Sequence, residues 1–240
     1  MPFITFMSLR ARAWVATRLA TAACWLFLFG VPIPSAKAQR PGQARLSAEV
    51  LVKSPADTDT ELQVICLFRS DPSNTLHGSL VEMNQKLQGL LDHIRTSSPA
   101  KGAPFGGELG ETLLIAPQAG SLPARRLLVV GLGDTRTFTP ARMDLVGEIV
   151  FGEANRLGVK HPFFAPTILD GGVSAFGTGE VAEQFMRGFL RARDLESELK
   201  ARGVSVGDGV ERLSFLAGAA HATDTQAGIA KAINEGKAHQ

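Results

Sequence analysis

An α/β fold with a mixed central sheet flanked by helices is what this sequence predicts, and three observations carry that expectation. Short apolar runs such as LQVICLF (62–68) and RRLLVVGLG (125–133) lack polar alternation and are brief, as strands buried on both faces must be. Between them lie longer stretches whose apolar residues recur at helical spacing. The chain has 240 residues, of which roughly 200 remain once an N-terminal segment is set aside, enough for one domain with a full-sized core.

That N-terminal segment is residues 1–38. Arg10, Arg12 and Arg18 precede an apolar run from Leu19 to Ile33, and Ser35-Ala36-Lys37-Ala38 closes it with a small-residue A-x-A pattern. Basic region, short apolar core and small-residue site in that order predict a secretory signal peptide cleaved after Ala38. The run is shorter than the roughly 20 residues a membrane span needs, so no stable span is expected after cleavage. Export to the periplasm or beyond follows as the expectation. Residues 39–45 read as a flexible leader, 46–236 as the domain and 237–240 as a tail. Cleavage removes four basic residues and no acid, leaving 21 basic against 23 acidic side chains, a formal charge of −2. Nucleic-acid binding needs concentrated positive charge and is not expected. Cys66 is the one cysteine left, so no internal disulfide can form, and its apolar strand predicts a buried, inert thiol.

The elements follow in order. ARLSAEVLV (44–52) alternates and predicts a first strand; Lys53–Thr60 is a polar loop; LQVICLF is a second, buried strand. After the turn residues 70–74, Leu76, Leu80, Met83, Leu87, Leu90 and Ile94 fall on one face of a single helix. The stretch 97–107 is a loop, ETLLIAP (111–117) a strand, 120–123 a turn and RRLLVVGLG a strand. Thr139-Pro140 predicts an N-cap with proline at the first helical position, opening a helix to about Leu157. HPFFAPTIL (161–169) is a strand. A glycine-rich loop to Gly179 then leads into a helix from Glu180 to Ala201, with Val181, Phe185, Phe189 and Leu190 inward. VERLSFLAG (210–218) is the last strand. Thr223-Asp224-Thr225-Gln226 has the form of a capping box opening a final helix to Glu235.

Two glycine turns invite a nucleotide reading. Gly131-Leu132-Gly133 follows a strand, but the third glycine of a dinucleotide fingerprint would stand at Arg136, and no Walker motif occurs. The loop LDGGVSAFGTGEVAEQF (169–185) holds four glycines and ends at a helix N-terminus that Thr178 can cap. Backbone N–H groups and the helix dipole there form a candidate anion site of Gly171, Gly172, Ser174, Gly177 and Thr178; the alternative is a loop ended by a cap. Catalytic motifs are absent: there is no H-E-x-x-H, C-x-x-C or G-x-S-x-G, and His77, His93, His161, His221 and His239 lack ligand spacing. No catalytic residue, metal ligand or cofactor is assigned. Asp170, Glu108 and Glu111 are loop acids, and Arg187, Arg191 and Arg193 are interleaved with acids on a solvated face.

PFGGELGETLLIAP (104–117), LPARRLLVVGLGDTRTFTPARMDLVGEIV (122–150) and AEQFMRGFLRARDLESELK (182–200) together resemble the N-terminal domain of the leucyl aminopeptidase family. The shared elements are F-x-G-x-x-G-E, a strand ending G-L-G, a helix opened by T-P, and a late helix with a central glycine, over roughly residues 60–203. The resemblance implies a macro-domain-like three-layer fold, a class whose ligands include ADP-ribose. On that basis the 171–179 loop is placed like a second phosphate loop and Gly131-Leu132-Gly133 becomes a strand-exit turn. The region FRSDPSNTLHGSLVEMN lacks the asparagine-rich first loop of ADP-ribose binders. The resemblance also implies that the two-metal peptidase site belongs to a separate catalytic domain, with its N-T-D-A-E-G-R motif, which ATDTQAG (222–228) echoes only superficially. The expected role is therefore a non-catalytic interaction or assembly module with a protein partner or self-association. A binder of nucleotide-like or other anionic ligands, and an accessory subunit of a separately encoded aminopeptidase, are the alternatives.

Overall fold

The computed structural model describes residues 46–71, 74–96, 105–205 and 207–238. The predicted signal peptide with its expected cleavage site, the predicted leader and the end of the tail lie outside the described residues. So does most of the loop 97–107.

Six strands form one sheet in the order β1-β6-β5-β2-β4-β3. They are β1 (Ser47–Val52), β2 (Gln63–Leu67), β3 (Thr112–Ile115), β4 (Leu127–Gly131), β5 (Phe163–Ala165) and β6 (Arg212–Ala217). All neighbours are parallel except β3, which runs antiparallel to β4 with Leu113 opposite Val129. The mixed sheet expected from the apolar runs is thus observed. β2 and β4 are buried at every position because both faces are covered.

Alternate residues of those strands feed two cores. Val64, Cys66, Leu128, Val130, Leu213 and Phe215 face three helices: α3 (Arg142–Arg156), α4 (Thr178–Ala201) and α5 (Ala222–Ala238). Ile65, Leu67, Leu127, Val129 and Leu216 face the shorter pair α1 (Gly78–Lys86) and α2 (Leu90–Thr96). The result is three layers, helices on both sides of a sheet. Phe164 of β5 stacks on Phe185 of α4 at 4.0 Å between ring centroids, and Phe215 meets both rings edge-on.

Several boundaries differ from expectation for identifiable reasons. The single helix predicted through Leu76–Ile94 is broken, because Gln88 and Gly89 adopt left-handed φ of 55° and 83°. The break shifts the register, so Leu91 rather than Leu90 becomes the fully buried residue of the second half. Thr139 and Pro140 form a tight turn in which their carbonyls accept from Arg142 and Met143; the helix proper starts at Arg142. The last helix begins at Ala222, one residue before the predicted box, and runs through Gly236 to Ala238. Cys66 is buried as expected, and desolvation pushes its thiol pKa well up.

The F-x-G-x-x-G-E stretch has a physical basis. Phe105 is fully buried; Gly107 and Gly110 have φ of 80° and 81°. A Cβ at Gly107 would lie 2.8 Å from the Arg69 backbone nitrogen. Glu111 folds back so that its Oε2 accepts from the N–H groups of Gly106 (2.8 Å) and Glu108 (2.9 Å). Gly131 packs against the Glu108 carbonyl, which explains the glycine at the strand exit.

Candidate functional site

A cleft of about 640 Å³ opens at the carboxyl ends of β1, β5 and β6. In open α/β sheets that end is where ligands bind, because the loops there are free to diverge. At the cleft β5 ends after only three residues. Pro166 follows Ala165 and supplies no N–H to continue the ladder. Thr167 then takes over the pairing with its side chain: Oγ1 accepts from Cys66 N–H (3.0 Å) and donates to the Cys66 carbonyl (2.6 Å). Thr167 has φ of 51°, a strained conformation for a β-branched residue, held by those two bonds.

The chain next winds into a tight turn. Gly171 N–H donates to the Thr167 carbonyl (2.9 Å), Gly172 to Leu169 (3.0 Å) and Val173 to Ile168 (3.1 Å). Gly171 has a further constraint, since a Cβ there would lie 2.6 Å from the Phe68 ring. Asp170 is turned toward α1, where its carboxylate accepts from the N–H (3.1 Å) and hydroxyl of Ser79. Its carbonyl accepts from His77 N–H at 2.8 Å. Asp170 therefore serves as the cap of α1 from a distant loop, a structural use for what the sequence marks only as a loop acid.

Val173, Phe176 and Val181 line the cleft from the glycine-rich loop and α4, and Val52, Leu216 and Ala217 line it from the ends of β1 and β6; Lys53, His221 and Thr225 also line it. Thr178 contributes the most informative polar atom. It is the first residue of α4, preceded by Gly177 at the N-cap position, and it makes no side-chain cap bond, contrary to the capping role expected for it. Its Oγ1 is buried, lacks a hydrogen-bond partner, and belongs to a residue lining the cleft. A buried hydroxyl without a partner costs about 1–3 kcal/mol, and a bound polar group would recover that cost.

Of the five candidate anion-site residues, Thr178 is brought into the cleft. Gly171, Gly172, Ser174 and Gly177 are not part of its lining. The N–H groups of Gly171 and Gly172 are engaged within the turn itself. Gly177 instead borders a smaller depression with Gly179, Glu180, Glu183, Asp224 and Lys231. The sequence reading passed over Lys53, Thr167 and His221 as site residues. Each lies in a segment that follows a strand proving to be parallel, a placement that the sequence alone does not mark. Among the described residues, no three His, Cys, Asp or Glu side chains gather where they could hold a metal ion. Arg187, expected on a solvated face, bridges Glu183 at 2.6 Å and Glu235 at 2.7 Å, tying α4 to α5.

Comparison with known proteins fits this architecture. The model of the cytosol aminopeptidase family, N-terminal domain, matches residues 64–200. The chain belongs to this family. Among solved structures, a tomato leucine aminopeptidase mutant superposes with a TM-score of 0.57 at 15% identity, covering 82% of this chain and 38% of that one. The cytosol aminopeptidase-type domain thus matches well under half the length of that enzyme. An Oceanobacillus iheyensis macrodomain mutant superposes with a TM-score of 0.55 at 13% identity, over 78% of this chain and 93% of that one. A Trypanosoma brucei macrodomain in complex with ADP-ribose gives 0.50 at 14% identity, over 78% and 68%. At such identities the likeness is one of fold, and the macro-domain-like three-layer architecture is shown. No curated protein sequence matches the chain.

Proposed function

We propose that this cytosol aminopeptidase-type domain is a non-catalytic binding module, acting after export, whose cleft takes a nucleotide-type anionic small molecule. The observation that carries the reading is the buried, unpartnered hydroxyl of Thr178 in an otherwise mostly apolar cleft. Small-molecule sites combine that apolar lining with a few unsatisfied polar groups, in volumes of about 300–1,000 Å³. The macrodomain that superposes on this chain and carries ADP-ribose supports the choice of first ligand. Calorimetric titration of the chain with ADP-ribose tests it. Saturable binding in the micromolar range, about −8 kcal/mol, supports the module. Absence of heat at millimolar ligand removes the nucleotide reading.

A second reading is an assembly module, either self-associating or completing a separately encoded aminopeptidase. Leu109, Leu114 and Leu145 support it: all are large apolar side chains left exposed, and Leu114 sits on the edge strand β3. A Cβ at Gly110, next to Leu109, would touch Leu145 at 3.4 Å, which places these loop and helix residues side by side. Sedimentation of the purified chain distinguishes the readings, since a strict monomer would remove self-association.

A further inference from the structure

Charge in the cleft is unevenly distributed. Lys53 and Asp170 are its two lining residues that carry a formal charge at neutral pH. The Asp170 carboxylate is committed to Ser79 at the N-terminus of α1, where the helix dipole offsets it. Lys53, the first residue after β1, is exposed and has no ion-pair partner among the described residues. The nearby acids are already engaged. Glu82 accepts from Ser54 (2.8 Å) and pairs with Lys86 (3.3 Å), and Asp57 pairs with Lys86 at 2.6 Å. At the opposite end, the turn N–H groups of Gly171 and Gly172 are spent. The depression beside the start of α4 is lined by Glu180, Glu183 and Asp224 against one base, Lys231, which is paired with Glu183 at 2.9 Å, so the acids left over disfavour an anion there.

We infer that Lys53 reads the anionic group of the cleft's ligand, which therefore lies across the ends of β1 and β6 rather than in the glycine loop 171–179. This rests on the binding-module reading above and adds to it a residue and an orientation. An ammonium on a flexible stem reaches a phosphate or a carboxylate equally, so the recognised chemistry is the anion itself.

The test is titration of the full chain, Lys53→Met and Lys53→Arg, each with ADP-ribose and with uncharged adenosine at two salt concentrations. Lys53→Met is expected to weaken ADP-ribose by about tenfold, the worth of one charged hydrogen bond. It should leave adenosine unchanged and flatten the salt dependence, while Lys53→Arg stays near the parent. Equal ADP-ribose affinity in Lys53→Met and the parent overturns the inference and leaves the binding module standing. So does equal loss of both ligands, which would make Lys53 a packing residue. A parent chain that binds neither ligand removes the module and the role of Lys53 together. Matching thermal melts exclude misfolding, and the exposed position of Lys53 predicts that they match.

Discussion

Gly188 in α4 lies so close to the Asp144 carbonyl in α3 that no side-chain carbon fits between them. The contact is reciprocal, since Gly147 of α3 meets the Phe185 carbonyl of α4 in the same way. Backbone therefore packs on backbone, and the helices cross at a distance that larger residues forbid. Gly188→Ala gains about 1 kcal/mol of helix propensity but forces the pair apart, at about 3 kcal/mol. A net loss of about 2 kcal/mol is expected in urea unfolding. Gly152, also within α3, has open space where a Cβ would go. Gly152→Ala should stabilise by about 0.5–1 kcal/mol, and a loss there would contradict the packing account.

Asp170 joins the floor of the cleft to α1. His77, the formal N-cap residue of α1, makes no side-chain cap bond, and the Asp170 carboxylate supplies it instead. Asp170→Ala is expected to cost about 1–2 kcal/mol and to increase amide exchange at Ser79 and Leu80. Asp170→Asn keeps the acceptor and should lose little. Equal damage from both substitutions would indicate that charge, rather than capping, is what matters.

Glu111 is exposed to the same kind of test. Its two charge-assisted bonds to Gly106 and Glu108 hold the loop that packs on Gly131. Glu111→Ala should lower stability by about 1–2 kcal/mol and make residues 105–111 the first site of limited proteolysis. An unchanged cleavage pattern would show that the glycine turns suffice without the carboxylate.

The fold was largely legible because strands buried on both faces announce themselves as unbroken apolar runs; LQVICLF and RRLLVV both became central strands. The α1–α2 break was hidden because Gln88, a good helix former, adopts a left-handed φ that propensity does not forecast. The site was less legible. A glycine-rich loop before a helix reads as an anion cradle whenever its N–H groups are free, and sequence does not reveal that Thr167, Ile168 and Leu169 use them. Lys53 and His221 were obscure for the opposite reason. Nothing local distinguishes them, and they become neighbours of the cleft only through the strand order β1-β6-β5.

Thr178→Val separates stability from binding at one atom. The substitution keeps the shape of the side chain and removes a buried hydroxyl that has no partner. Without ligand it should raise stability by about 1 kcal/mol or leave it unchanged. If a ligand group satisfies that hydroxyl, the same substitution weakens ADP-ribose by about tenfold. A destabilised Thr178→Val would mean that the hydroxyl is bonded in the free protein.

His161 provides the pH dependence. Its Nε2 lies 2.8 Å from Ser214 Oγ, which itself donates to Glu49 at 2.7 Å, and Phe163 packs on the ring at 4.7 Å. Burial lowers the imidazole pKa, Arg212 lowers it further, and Glu49 offsets part of the shift. The unfolded chain, with a pKa of about 6.5, therefore takes up its proton first as pH falls. Stability is undiminished above that value and declines as pH drops below it toward the folded pKa. His161→Gln should flatten this slope, whereas Glu49→Gln, by removing the compensating charge, should extend it to lower pH. Asp134 acts in a separate window. Arg136 and Arg69 hold its carboxyl below the usual range, so its contribution is present above about pH 3.9 and lost under stronger acid. Melting temperatures measured from pH 8 to pH 5 check the imidazole apart from Asp134, and an unchanged slope in His161→Gln would assign the effect to another group.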